Sequence, residues 1–291
     1  MSDLILRSTG KIAELRFVAA DLTDTVNDIL KLHQAEGGLA VLMSDTLLAS
    51  IFISSGVKLQ GSIRLEAEFD GVLKNITAES TPMGLARAKF EMNDAFKGDP
   101  NSELKPDVMK VKKFDVHNKV LSEGIVPMDG LSMGKNLTGY LLQSEQIKSA
   151  VSIVTRLDPN DPSKVLFAAG YLVEAFPKCD EKTLSIIEQV ILNFPDFSTF
   201  YHPDDGFKVK DMLDELAGPF EYEIHREMVP AHFKINDRDN CRRALLSLGA
   251  VEISNLIEAN EDIEMVDEYS KDKYIFTLSE LNEILEEIKN K

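Results

Sequence analysis

Apolar positions along the chain change period several times, and each change marks an element. Residues 15–22 are nearly all apolar and predict a strand. Thr23 then stands where a helix cap is needed, before Val26, Ile29, Leu30 and His33 at helical spacings of three and four. Gly37-Gly38 is read as the end of that helix. Residues 39–53 are apolar on almost every side, the pattern of a helix enclosed in a core. From Val57 the period drops to two. Val57, Leu59, Gly61, Ile63, Leu65 and Ala67 alternate with polar residues, and Asp70-Gly71 supplies a hairpin turn. Strand character continues at 76–80, 85–92, 108–116 and 120–126, with a break at Gly98-Asp99-Pro100. A helix is predicted at 134–146, then strands at 151–155 and 165–176 around a turn at 158–162. Strands that meander in this way imply a mainly antiparallel sheet with the early helices packed on it.

Pro177 closes this region. Helical periodicity follows at 181–192 and 208–216, around a loop rich in aromatic residues: Phe194, Phe197, Phe200 and Tyr201. Core lining beneath the helix pair is the expected role of that cluster, a binding surface the alternative. A short strand at 221–227 leads into residues 232–278, two arms joined by a pair of short helices. An acidic amphipathic helix at 278–288 ends the pattern. The fold class is therefore α+β. Three regions are expected: an N-terminal α/β core at 1–178, a helical linker region at 179–230 and a small C-terminal α+β domain at 231–291.

Composition narrows the function. The chain has 291 residues, 49 acidic against 32 basic, for a net charge of -17. A field of that sign repels nucleic acid and anionic membranes, so neither is an expected partner. The longest apolar stretch contains Ser44 and Asp45 and is read as too short to span a bilayer. The beginning of the sequence lacks the pattern of a signal peptide. Two cysteines, Cys179 and Cys241, lie far apart, which fits a reducing cytoplasm and no disulfide.

Chemistry-bearing motifs are sparse. None of the five histidines has zinc-hydrolase spacing. His225 and His232 are near Cys241 in sequence, but an ordinary part-buried cysteine is the expected reading. Residues 236–240 hint at a calcium loop, yet Arg238 stands where an oxygen ligand is needed. No phosphate-cradling loop and no nucleophile motif stands out. No catalytic residue, cofactor or enzymatic activity is expected.

The segment Leu137-Thr-Gly-Tyr-Leu-Leu-Gln-Ser-Glu-Gln-Ile147 resembles the heat shock protein 33 family of redox-switched holdase chaperones. The likeness extends to Ile125-Val126-Pro127, to Ala168-Ala169-Gly170-Tyr171, and to the run from Arg238 through Cys241 to Gly249. Glu174 departs from a glutamine usual in the family. It continues through 253–258, 263–269 and 274–276, covering almost the whole chain. The resemblance implies a C-terminal zinc domain held by a Cys-x-Cys and a Cys-x-x-Cys, whose oxidation releases metal and exposes a surface for unfolding clients without ATP. Here those four positions carry Lys234, Asn236, Asp267 and Ser270, so no thiolate remains. A cation, an amide and a hydroxyl are poor zinc ligands, and the site is expected to be metal-free. Structural zinc contributes roughly 10–16 kcal/mol, so other contacts must replace it. The expected replacement is a Lys234–Asp267 ion pair with Asn236 and Ser270 hydrogen-bonded beside it; the alternative is packing alone, through residues that include Leu245, Leu248, Ile253 and Phe276. The implied function is a holdase that binds unfolding clients without the thiol switch, constitutively or on heating. A partner-specific adaptor is the other reading, and a homodimer the other candidate assembly.

Overall fold

The computed structural model describes residues 3–56, 61–97, 104–234 and 238–290. The chain forms two compact units, residues 1–233 and 234–291.

The first unit opens with β1 (Leu4–Gly10), which no periodicity marked, and β2 (Leu15–Asp21). Next come α1 (Thr23–His33), α2 (Gly37–Gly56), and the strands β3 (Gly61–Asp70), β4 (Leu73–Ser80), β5 (Leu85–Met92), β6 (Lys105–Asp115) and β7 (Val120–Pro127). Then follow α3 (Met133–Gln143), β8 (Ser149–Asp158), β9 (Asp161–Ala175), α4 (Glu181–Leu192), β10 (Tyr201–His202), β11 (Gly206–Phe207), α5 (Val209–Ala217), β12 (Tyr222–Met228) and β13 (Ala231–His232). The strands build a five-stranded sheet, β12-β1-β2-β9-β8, and a six-stranded sheet, β13-β5-β4-β3-β6-β7. All pairings are antiparallel except β13 with β5.

Helix α2 lies against both sheets, touching β3, β4 and β5 of one and β8 and β9 of the other. It has the length and apolarity of a membrane span, but 72% of its most apolar window is buried within the protein. Three of its buried hydroxyls are compatible with that burial because they bond to their own helix. Ser44 Oγ donates to Ala40 O at 2.7 Å, Thr46 Oγ1 to Leu42 O at 2.6 Å and Ser50 Oγ to Leu47 O at 2.8 Å. Hydroxyls returned to backbone carbonyls avoid the cost of burying an unpaired donor.

Two expectations about helix ends need correcting. Thr23 is the first residue of α1 and not its cap; Leu22 precedes it without a side-chain bond. The free amides of Asp24 and Thr25 instead donate to the Asp3 carboxylate, each at 2.7 Å. This long-range cap from Asp3, just before β1, leaves no local sequence signature. Helix α1 ends at Gln34, left-handed at φ 53°, and Gly37 starts α2. Val57 and Leu59 lie outside the described residues.

The segment 179–230 packs its apolar residues on the face of the five-stranded sheet opposite α2. Phe197, Phe200, Phe207, Met212, Leu213 and Leu216 share a core cluster with Leu6, Phe17 and Phe167. The aromatic loop is core lining, with Tyr171–Phe194 ring centroids 4.9 Å apart and Phe167–Phe207 5.3 Å apart. Helix α4 is the loosest element there: only Ile187 is buried, while Ile186 and Leu192 are exposed.

The second unit holds α6 (Arg238–Glu258), the hairpin β14 (Ile263–Val266) and β15 (Lys273–Phe276), and α7 (Leu278–Lys289). Gly249, at φ 84° and ψ 168°, breaks α6 into the expected pair of short helices. Thr277 and Glu280 form a reciprocal capping box at the start of α7. Cys241, Leu245, Ile253, Phe276, Leu281, Ile284 and Leu285 make the core. Leu248, expected in it, is 50% exposed.

Candidate functional site

The hairpin β14–β15 closes through residues 267–272, and its geometry is set by the side chains at two of the four positions in question. Asp267 Oδ1 accepts the backbone N–H of Tyr269 at 3.1 Å and of Ser270 at 2.5 Å. Ser270 Oγ accepts the N–H of Asp272 at 3.2 Å. Backbone bonds from Asp267 N to Asp272 O and from Lys271 N to Asp267 O, both 2.9 Å, complete the loop. Lys271 takes the left-handed conformation at φ 56° that lets the chain reverse. Short carboxylate and hydroxyl side chains bonding to amides two and three residues on are a self-sufficient turn device. Ser270 is accordingly buried.

Lys234 does not make the expected pair with Asp267. Its Nζ lies 3.8 Å from Asp272 Oδ1, with both side chains about half exposed. The physical reason is that Asp267 turns inward to its own loop amides, while Asp272 presents its carboxylate outward at the end of the same turn. An exposed pair at that separation contributes about 0–1 kcal/mol. Asn236 lies outside the described residues.

Other contacts hold this unit together. Arg238, at the start of α6, donates from Nη2 to Ile275 O at 2.9 Å and to Glu280 Oε1 at 2.8 Å. Its guanidinium lies 4.5 Å from the centroid of the Phe276 ring. Arg242 Nη2 pairs with Glu287 Oε2 at 2.7 Å. One helix is thereby tied to the hairpin and to α7 by groups that need no metal.

Zinc does not fit the donors at the corner. The Lys234 ammonium has no lone pair, and Asp267 Oδ1 and Ser270 Oγ already accept backbone N–H groups. Among the described residues no three His, Cys, Asp or Glu side chains converge as a metal site. Cys241 is buried in the core of the second unit, as expected for a small apolar residue. Cys179, in the first unit, has its thiol pKa raised by burial and then by Asp180, Glu14 and Glu181, which disfavours the thiolate.

The first unit's α2 between two mainly antiparallel sheets and the second unit's broken helix, hairpin and capped helix define a two-unit α+β protein. Its hairpin turn is closed by the side chains of Asp267 and Ser270. The chain belongs to the Hsp33 family: the family model described as Hsp33 protein matches residues 3–277. A 33 kDa chaperonin of Desulfotalea psychrophila is 28% identical, with 100% of this chain and 99% of the relative covered. One from Bacillus velezensis is 26% identical over 98% and 99%. The crystal structure of the heat shock protein 33 homolog of Thermotoga maritima superposes over 100% of both chains with a TM-score of 0.81 at 21% identity, a likeness of fold.

Proposed function

We propose that this protein is an ATP-independent holdase of the cytoplasm that binds unfolding proteins and works without a zinc–thiol switch. Membership of a family whose relatives are named 33 kDa chaperonins supports the chaperone part. The observation that carries the second part is the turn at 267–272. In our reading, Lys234, Asn236, Asp267 and Ser270 stand where the family's metal ligands were, and Asp267 and Ser270 close by hydrogen bonding what the metal once clamped. An oxidant has no thiolate to attack there, so control passes to temperature. The region 179–230 is the natural place for that control. Helix α4 has one fully buried residue, and a helix with so little burial opens at a small fraction of the global unfolding free energy. The core region 1–178 and the C-terminal region 231–291 keep their structural roles in this reading.

A light-scattering assay with a thermally unfolding client tests it, with and without peroxide and with zinc content measured in parallel. The expected result is suppression of aggregation that rises with temperature and is unchanged by peroxide. Suppression that needs peroxide contradicts the lost switch. No suppression under any condition, with stoichiometric capture of one native protein, establishes the adaptor reading instead.

A further inference from the structure

Helix α4 stands over a hollow. Between it, α3 and the strands β8 and β9 lies a cavity of about 360 Å³. Two alanines set its floor. Ala150 on β8 is the direct partner of Val173, Ala175 on β9 is the direct partner of Leu15, and all four line the space. Leu15 and Val173 belong to the core cluster on that face of the sheet, and protein interiors otherwise pack to crystal-like density. Methyl groups at 150 and 175, where larger side chains would fit, keep the hollow open. Leu142 of α3 and Leu184, Ile187 and Ile191 of α4 form its walls. Of these four only Ile187 is buried, and Leu142 is exposed.

Charge is confined to the rim. Glu181 and Glu188, two helical turns apart, fall on the cavity side of α4, and Lys148 stands just before β8. Lys148 Nζ lies 3.9 Å from Glu181 Oε1 and offsets that carboxylate. Glu188 has no ion-pair partner among the described residues. The lining thus combines an apolar interior with one uncompensated negative charge. An apolar space of this size with a few polar groups to orient the occupant is the composition of a small-ligand site. The net charge of -17 favours a cation over an anion at such a rim as well.

We infer that the hollow beneath α4 binds a small organic amine with an apolar body, its ammonium group at Glu188 and its hydrocarbon against Leu142, Leu184 and Ile187. The hydrocarbon supplies most of the affinity, because it removes those side chains from water. An ion pair at an exposed rim adds little energy and chiefly selects the sign of the ligand's charge. Bound there, the ligand joins α4 to the sheet and holds in place a helix with a single buried residue. Binding does not depend on the holdase reading.

Calorimetric titration of the full-length protein with octylamine, octanol and octanoate tests the inference, since the three share one apolar body and differ in charge. Octylamine should bind saturably, octanol about threefold more weakly and octanoate about tenfold more weakly. Glu188→Gln should bring octylamine and octanol to equal affinity. Ala150→Phe, which fills the hollow, should abolish binding of all three, and Ala175→Leu serves the same purpose should the first variant fail to fold. Amide protection in α4 should rise at saturating octylamine. No saturable binding of octylamine overturns the inference. Equal affinity for octylamine and octanol in the wild type overturns the choice of a cation. Unchanged binding in a filling variant shown to be folded by circular dichroism, or unchanged protection of α4, overturns the placement beneath that helix.

Discussion

Single residues in this protein are governed by what the fold puts beside them, which spacing along the chain does not show. Lys234 and Asp267 suggested a pair because one cation and one anion replace ligands on opposite arms. The turn instead engages Asp267 with its own amides, and Lys234 meets Asp272. Arg7 and Arg226 are equally silent in sequence, because only the register of β1 against β12 sets them opposite each other. Asp21 gives a residue-scale prediction. Burial first, opposed by its bonds from Thr23 and reinforced by Asp3 and Asp24, raises its pKa from 3.8 to about 7. A raised carboxyl binds its proton more tightly in the folded state, so its contribution to stability is full below pH 4. That contribution is lost as pH rises to about 7. Asp21→Asn, which keeps an oxygen to accept from Thr23, should therefore raise Tm at pH 8 and leave it little changed at pH 4. Thermal unfolding followed by circular dichroism at the two pH values checks this. An equal effect at both would show that Asp21 is not protonated in the native state near neutrality.

At the scale of elements, periodicity served well wherever one face of an element is buried and the other wet. β3, β5, α4 and α7 fall where alternation or helical spacing placed them. β1 escaped because Leu4, Ile5 and Leu6 face two different cores, or the margin of one, so no alternation survives. The start of α1 escaped because its cap is supplied by Asp3, some twenty residues earlier in the chain. Gly249 shows the opposite case, a local signal with one conformational meaning. Its φ of 84° with ψ of 168° lies in a region used essentially by glycine alone, and an added Cβ would meet nothing within 4 Å. Gly249→Ala should thus cost about 1–3 kcal/mol through backbone strain, without steric conflict. Hydrogen exchange should show faster opening of α6 and α7, with β1–β9 unaffected. Unaltered protection in α6 would mean that the helix pair straightens at no cost.

For the whole molecule, the question is what stabilises a small second unit whose hairpin corner does not suit zinc. The resemblance along 238–276 was legible because the residues that pack and pair the unit persist: Arg238, Cys241, Leu245, Ile253 and Phe276. The closure of the turn at 267–272 was not legible, because it consists of side-chain-to-backbone bonds inside one turn. Those bonds and the Arg238 and Arg242 ties are individually modest, each about 0.5–1.5 kcal/mol or up to about 3 where a charge takes part. Together with a continuous apolar core they act at every zinc concentration. A unit folded by metal loses its structure to chelators, since binding free energy is then folding free energy. This unit should not. Amide protection in β14, β15 and the turn at 267–272 is expected to be the same in excess chelator as in added zinc, at equal ionic strength. A drop in protection confined to residues 263–276 on chelation would require a metal held by donors other than Lys234, Asp267 and Ser270, and would restore metal control to the account of how this protein is switched.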